Sequence, residues 1–241
     1  MYQYNGINNE EIKALMRGEI TLYHGSDHVI KTPVFGFGNM RNDYGVGFYC
    51  TRHLELAQEW AVGPDRDGYV NSYHLDSKGL RTLDLNGKNT CILHWVTLLL
   101  RNRGVSASSP TEVAAMEYLL KHFSINIDGY DIIVGYRADD SYFAFARDFL
   151  RNTLSLERLS YAMKLGNLGS QVVLKSKRAF ERLRFLGSDP VSQKAFYPIK
   201  EKRDLLARSA YRDARDGAFS PNETFILDII RKGITADDPS L

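Results

Sequence analysis

The feature that most constrains the fold of this chain is a pair of short strand-type segments separated by a long irregular loop. Residues 20–24 and 46–50 are rich in β-branched and aromatic side chains, whereas residues 26–44 are rich in glycine, asparagine and proline. A loop of this length inside a compact domain is often functional. We therefore expect a ligand site where this loop leaves the two strands.

Both segments end in groups that can hold a polar ligand. The first ends in His24-Gly25-Ser26, where the imidazole can donate or accept a hydrogen bond and the glycine leaves the backbone accessible. The second lies within Gly45-Val-Gly47-Phe48-Tyr49-Cys50-Thr51, and the ring of Tyr49 can stack on a flat ligand. His24 and Tyr49 are therefore the first candidates for a binding site.

The rest of the chain alternates helical and strand-type patterns, which predicts an α+β fold. Strand patterns occupy residues 69–76, 80–86, 130–134 and 171–174, and the first two are predicted to pair as a hairpin. Helical patterns occupy residues 8–18, 51–62, 90–102, 111–123 and 156–165, and a further helix begins near Asp140. Strand patterns stop after Gly187, and the last helix is predicted to begin at Ser220-Pro221. We therefore predict a main domain over residues 1–187 and a helical C-terminal extension over residues 188–241 packed on it.

The composition favours a globular protein without a dominant charge. The 241 residues are 44% hydrophobic and 12% aromatic, which is enough to fill a sizeable core. The formal net charge of +2 is too small for a whole-molecule field that requires nucleic acid or an anionic membrane. The two cysteines, a polar N-terminal segment and a longest apolar run of only residues 95–100 predict a cytoplasmic protein without a membrane span. The six histidines lack the spacing of a zinc site, so no metal is expected.

Taken in order, these segments resemble the signature motifs of the ADP-ribosyltransferase superfamily, most of all a bacterial, toxin-like group whose members are largely uncharacterised. The resemblance rests on the two segments above and on Gly169-Ser-Gln171-Val-Val, and it spans about residues 20–186. It implies a split, mostly antiparallel β-sheet with surrounding helices that binds NAD in a central cleft. NAD would be consumed as a substrate, without a metal.

The resemblance also implies a role for each matching residue. His24 matches the family's histidine, which hydrogen-bonds a ribose hydroxyl, and Gly25 matches the residue whose backbone holds the nicotinamide amide. Tyr49 matches the tyrosine that stacks on the nicotinamide ring. Ser26 and Thr51 are expected to help orient NAD as neighbours of these residues.

The chain departs from the family at the catalytic glutamate, because the matching position is Gln171. An amide can hydrogen-bond a ribose hydroxyl, but it cannot offset the positive charge that develops as the nicotinamide bond breaks. Asp139 and Asp140 could supply a carboxylate if their loop faces the cleft, although both also suit the first turn of a helix. Gly169 stands where arginine-directed members carry a second glutamate, which disfavours arginine as the acceptor.

The leading hypothesis is an NAD-dependent ADP-ribosyltransferase that modifies a cytoplasmic macromolecule, with His24, Tyr49 and Gln171 as its catalytic set. It would act as a toxin-like effector restrained by an inhibitory protein partner. Two alternatives stay open, namely a catalytically silent module that binds NAD, another nucleotide or a protein, and an NAD glycohydrolase that uses water. A basic run also leaves a nucleic-acid acceptor open, although an exposed helix face is its simpler explanation: Lys175, Lys177, Arg178, Arg182 and Arg184.

Overall fold

The structure is a computed structural model that describes residues 10–137, 140–163, 170–218 and 220–239. In chain order its elements are α1 (Glu10–Arg17), β1 (Glu19–Ser26), β2 (Phe48–Cys50), α2 (Leu54–Ala61), β3 (Gly68–Asp76), β4 (Thr82–Asp84), α3 (Ile92–Arg103), α4 (Pro110–His122), β5 (Ile132–Tyr136), α5 (Asp140–Leu150), α6 (Leu156–Ala162), β6 (Ser170–Leu174), α7 (Lys177–Glu181), β7 (Leu183–Val191), α8 (Gln193–Asp216) and α9 (Ile226–Lys232).

The strands form two open sheets. One sheet has the order β1-β3-β7 and is antiparallel throughout, and the other has the order β2-β6-β5-β4. In the second sheet β4 and β5 run parallel, while the other pairs are antiparallel. The predicted α+β class with a mostly antiparallel sheet and a C-terminal helix is thus confirmed.

The two sheets pack face to face, because their facing side chains share one buried cluster. Leu22 and Leu75 enter it from the first sheet, and Cys50, Val134 and Val172 enter it from the second. The outer face of the second sheet is covered by helices α3, α4, α5, α6 and α9, and α2 covers the outer face of the first. Within the described ranges, no helix is both long enough and apolar enough to cross a bilayer.

The sheets join at one point and then separate. The Tyr23 N–H donates to the Thr51 carbonyl (2.8 Å), and the Thr51 N–H donates to the Tyr23 carbonyl (2.9 Å). Continuing this antiparallel register would pair Gly25 with Tyr49. Instead the imidazole of His24 lies there, with Nδ1 2.7 Å from the Tyr49 carbonyl oxygen. A wedge therefore opens between β1 and β2, and the backbone of Gly25 faces it.

Three sequence-based predictions for individual elements are wrong. The segment containing β4 does not form a hairpin with β3, because β3 already has β1 and β7 on its two edges. Strands do not stop after Gly187, since β7 continues to Val191, and the predicted domain boundary between residues 187 and 188 falls inside it. The last helix begins at Ile226 and not at Ser220-Pro221, and the Asp228 carboxylate accepts the Phe225 N–H at its start (3.1 Å).

Candidate functional site

A cavity of about 440 Å³ lies at the wedge between the two sheets. Its volume is within the range of about 300 to 1,000 Å³ that is usual for small-molecule sites. Three strands contribute to its wall, through His24 on β1, Phe48 and Tyr49 on β2, and Gln171 on β6. The long loop between β1 and β2 covers one side through Ile30, Pro33, Val34, Phe37, Gly38 and Asn42.

His24 is held as a neutral hydrogen-bond acceptor. Its Nδ1 lies 2.7 Å from the Tyr49 carbonyl oxygen, and because a carbonyl only accepts, Nδ1 must carry the proton. Burial lowers the pKa of His24 below its usual value of 6.5, and this effect outweighs the hydrogen bond to the Tyr49 carbonyl, which raises it. The imidazole is therefore neutral at pH 7, which leaves Nε2 as an acceptor. Such a group can receive a hydrogen bond from a hydroxyl of a ligand.

Tyr49 is fixed by its own hydroxyl. The phenol donates to the Gly45 carbonyl (2.7 Å) and accepts the Tyr44 N–H (3.0 Å). Its ring stacks on Tyr44 with the centroids 6.4 Å apart and the planes 21° from parallel. Burial raises the pKa of Tyr49 well above its usual range, so the hydroxyl stays protonated. The ring is thus a rigid, uncharged element of the cavity wall.

Gln171 and Asp43 lie side by side in the cavity wall. The Gln171 Nε2 donates to the Asp43 carboxylate (3.1 Å) and to the Tyr136 carbonyl (3.4 Å). Asp43 also receives the Arg103 guanidinium, whose Nε lies 2.7 Å and whose Nη2 lies 2.6 Å from Oδ1. Both Gln171 and Asp43 are buried, at 4% and 3% exposure. A carboxylate is therefore present at this wall, one hydrogen bond away from Gln171.

Two guanidinium groups lie at the cavity, and one of them is paired with a carboxylate. Arg103 pairs with Asp43, and Arg137 follows β5 with its Cζ 4.5 Å from the centroid of the Trp60 ring. Both arginines and Trp60 line the cavity. Planar guanidinium groups are well suited to binding phosphate oxygens. The charged wall groups are thus compatible with a ligand that carries phosphates.

Three further predicted site residues, Gly25, Ser26 and Thr51, are not among the residues that line the cavity. Ser26 Oγ donates to the His28 carbonyl (2.5 Å) and accepts from Asn71 Nδ2 (2.9 Å), which fixes the start of the long loop. Thr51 is fully buried, and its hydroxyl accepts the His53 N–H (3.2 Å) ahead of α2. Asp139 and the side chain of Asp140 lie outside the described residues.

Sequence reasoning missed the residues that reach the site from outside its strands. Asp43 stands in the irregular loop, Trp60 on α2 and Arg103 at the end of α3. No motif marks them, because only the folded chain brings them to one cavity. A weak signal existed at Arg137, which directly follows a buried strand and precedes a helix, as many binding residues do.

The basic run after Gln171 does not line the cavity. Lys175 Nζ donates to the carbonyls of Tyr44 (2.6 Å) and Val46 (2.5 Å), and so anchors the long loop to β6. Arg178 lies 3.8 Å from Asp131, and Arg182 donates to the Lys78 carbonyl. These contacts give the run a structural explanation.

A second cavity of about 570 Å³ lies at the far end of β4. Its wall comes from the loop between β4 and α3, including Asp84, Asn86 and Lys88. It holds no arginine, and Tyr130 is its only aromatic residue in the part of the chain that the structure describes. The cavity at the wedge is therefore the better candidate.

Two further observations concern metal ligands and the thiol of Cys50. Among the described residues, no group of three or more histidine, cysteine, aspartate or glutamate side chains is arranged to hold a metal ion. Cys50 is buried between the sheets, and burial raises the pKa of its thiol far above the usual range. Cys50 is thus a protonated core residue.

The fold and the cavity define an α+β protein with a ligand cleft between two sheets. A model of the protein family of unknown function DUF3990 matches residues 20–185, and the chain therefore belongs to that family. The match runs from β1 into β7, so it includes every strand and helix that lines the cavity. No curated protein and no solved structure matches the chain.

Proposed function

We propose that this protein is an NAD-dependent ADP-ribosyltransferase with a split sheet of the ADP-ribosyltransferase type, whose NAD site is the cavity at the wedge. The observation that carries the proposal is that three separate strands bring His24, Tyr49 and Gln171 to one cavity. These are the three positions at which the sequence resembles that superfamily. The separation of β1 from β2 beyond Tyr23 and Thr51 supports the same assignment.

The residues of the cavity suit the parts of NAD. The neutral His24 would accept a hydrogen bond from a ribose hydroxyl through Nε2. The Gly25 amide at the wedge would bind the nicotinamide amide, and the ring of Tyr49 would stack on the nicotinamide. Arg103 and Arg137 would lie beside the pyrophosphate.

The reaction breaks the bond between the nicotinamide nitrogen and C1′ of the ribose. The bonding electrons leave with nicotinamide, and positive charge develops on the ribose in the transition state. A nucleophile of the acceptor then bonds to C1′ and releases its proton. Gln171 would hold the 2′-hydroxyl of this ribose, which requires its amide oxygen to face the cavity. The acceptor proposed is a macromolecule of the cytoplasm.

The test follows NAD labelled on its adenylate half, together with free nicotinamide, in a bacterial lysate to which the purified protein is added. We expect label on a macromolecule and a matching release of nicotinamide. Tyr49→Ala should abolish both, because the stacking ring is lost. Tyr49→Phe is the matched control, since it keeps the ring and removes only the hydroxyl that anchors the loop, and it should keep most of the turnover.

Each other outcome assigns the protein differently. Free ADP-ribose without labelled macromolecule would favour an NAD glycohydrolase. Binding of NAD without release of nicotinamide would favour a catalytically silent module, to which the neutral side chain of Gln171 also points. A Tyr49→Ala protein that is folded and turns over NAD normally would contradict the proposed site.

A further inference from the structure

The orientation of the Gln171 amide follows from its neighbours. Both groups within hydrogen-bond distance of Nε2 are acceptors, namely the Asp43 carboxylate at 3.1 Å and the Tyr136 carbonyl at 3.4 Å. A carboxylate and a carbonyl cannot bond to the amide oxygen, so the NH2 group must face them. The Oε1 atom is thus directed away from Asp43, and no described residue donates a hydrogen bond to it.

Asp43 is itself held firmly in place. The Arg103 guanidinium binds one carboxylate oxygen, and Gln171 binds the other. Asn102 Nδ2 donates to the backbone carbonyl of Asp43 (2.8 Å). The adjacent Tyr44 donates its hydroxyl to the Tyr136 carbonyl (2.5 Å), where it packs on Gly135. This part of the long loop is therefore fixed to β5 and to the end of α3.

We propose that Asp43 is a positioning residue that orients Gln171 and supplies the negative charge of the site through it. The Gln171 Oε1 accepts a hydrogen bond from the 2′-hydroxyl of the nicotinamide ribose. Asp43, on the opposite side of the amide, polarises the amide. The single glutamate of the ADP-ribosyltransferase superfamily is thus replaced by an amide and a carboxylate in series. This inference rests on the proposed function.

Arg103 opposes this effect but does not cancel it. Its guanidinium contacts Oδ1 of Asp43, whereas Oδ2 accepts the hydrogen bond from Gln171 Nε2. The negative charge of the pair is therefore the nearer one to the amide. An amide whose NH2 group donates to a carboxylate is also more strongly polarised, so its oxygen becomes a better acceptor. This occurs because hydrogen bonds in a low-dielectric network polarise one another.

The test moves the charge from one residue to the other. Asp43→Asn removes the carboxylate and keeps the shape, and we expect kcat for nicotinamide release to fall about 10- to 100-fold with little change in KM, as is typical for residues that support a functional group. Gln171→Glu alone should also impair turnover, because two adjacent carboxylates repel and one must take up a proton. The double variant Asp43→Asn/Gln171→Glu places one carboxylate in direct contact with the ribose and should recover kcat to within about 10-fold of the wild type.

A matched control comes from a second buried carboxylate that pairs with an arginine. Glu112 is 3% exposed and accepts from Arg151 Nε (2.8 Å) outside the cavity. Glu112→Gln removes a comparable charge and should leave kcat unchanged. Circular dichroism and thermal unfolding of every variant establish that the proteins compared are folded.

The possible results separate this inference from the proposed function. If the wild type neither binds NAD nor releases nicotinamide, both fall together. If the wild type turns over NAD and Asp43→Asn does as well, the inference alone is overturned. A double variant no more active than Asp43→Asn would show that Asp43 has only a structural role. Binding of NAD without turnover by the wild type would contradict both, because the inference concerns kcat.

Discussion

At the scale of single residues, the site depends on side chains whose hydrogen bonds leave one polar atom for a ligand. His24 donates a hydrogen bond from Nδ1 to the Tyr49 carbonyl, and Gln171 donates one from its NH2 group to Asp43. In each case the contact within the protein decides whether the remaining atom donates or accepts. The specificity of the cavity is therefore set by neighbours that a sequence motif does not contain.

His24 makes the binding of NAD sensitive to acid. Protonation would turn Nε2 into a donor and remove the acceptor, and the lowered pKa of His24 means that this happens only below pH 6.5. We expect the Kd for NAD to be constant from pH 8 to about 6.5 and to rise as the pH falls further. The unfolded chain binds this proton more readily than the native state, so the free energy of unfolding should decline over the same acidic range.

Calorimetry across this range checks the dependence on His24. His24→Gln should bind NAD more weakly and lose the acidic part of the profile. His74→Gln is the matched control, because His74 lies on β3 beside Glu19 and outside the cavity. An acidic rise in Kd that survives in His24→Gln would assign the effect to another group.

At the scale of elements, α2 packs closely against β1 at Gly25. A side chain at Gly25 would overlap the Ala57 carbonyl and the Ala61 amide, which are backbone atoms that cannot rotate away. Gly25→Ala should therefore push α2 from the sheet and lower the free energy of unfolding by about 1–3 kcal/mol. Gly187→Ala on β7 is the control, since nothing lies within 4 Å of its added methyl group. Urea unfolding of both variants measures the difference, and equal stabilities would contradict the close packing.

The elements themselves divide into those that the sequence predicts and those that it does not. The strands around His24 and Gln171 and the helices α3 and α4 have local patterns that agree with their environment. The parallel partner of β4 depends on a contact with β5 some fifty residues away, which no local pattern contains. Asp43 is missed for the same reason, because its role depends on Gln171 and not on its own neighbours in the chain.

Strand β7 shows a different reason for failure. Leu183 and Phe185 alternate with more exposed residues, which is a strand signal, but the last strand predicted from the sequence was residues 171–174. β7 lies at the edge of its sheet, where Pro190 can be accommodated because one side of the strand needs no partner. A correct prediction requires the position of the strand in the sheet.

At the scale of the whole molecule, α8 connects the two outer layers. Its 24 residues span about 36 Å at 1.5 Å per residue. Near its middle Arg203 pairs with the buried Glu59 on α2 (2.5 Å). Near its end the Tyr211 hydroxyl donates to Asp148 on α5 (2.6 Å), and its ring stacks on Phe145 with the centroids 3.7 Å apart. Helix α8 thus connects the outer layers on both sides of the cleft.

Arg158 on α6 holds the far end of this helix, and its replacement should loosen the whole molecule. Its guanidinium donates to four backbone carbonyls, those of Ala214 (2.7 Å), Arg215 (2.8 Å), Gly217 (3.1 Å) and Ala218 (2.7 Å), and its Nε donates to Glu223 (3.0 Å).

Lysine keeps the charge but has three donors on one nitrogen, so Arg158→Lys leaves buried acceptors unpaired. We expect a loss of about 3 kcal/mol in the free energy of unfolding. Arg231→Lys, at an exposed pair with Asp228, should change it by less than about 0.5 kcal/mol. Chemical unfolding compares the two variants, and because α8 contacts both outer layers, the loss should appear as one cooperative transition at lower denaturant. Separate unfolding of α8, with the rest of the protein as stable as before, would show that α8 does not hold the layers together.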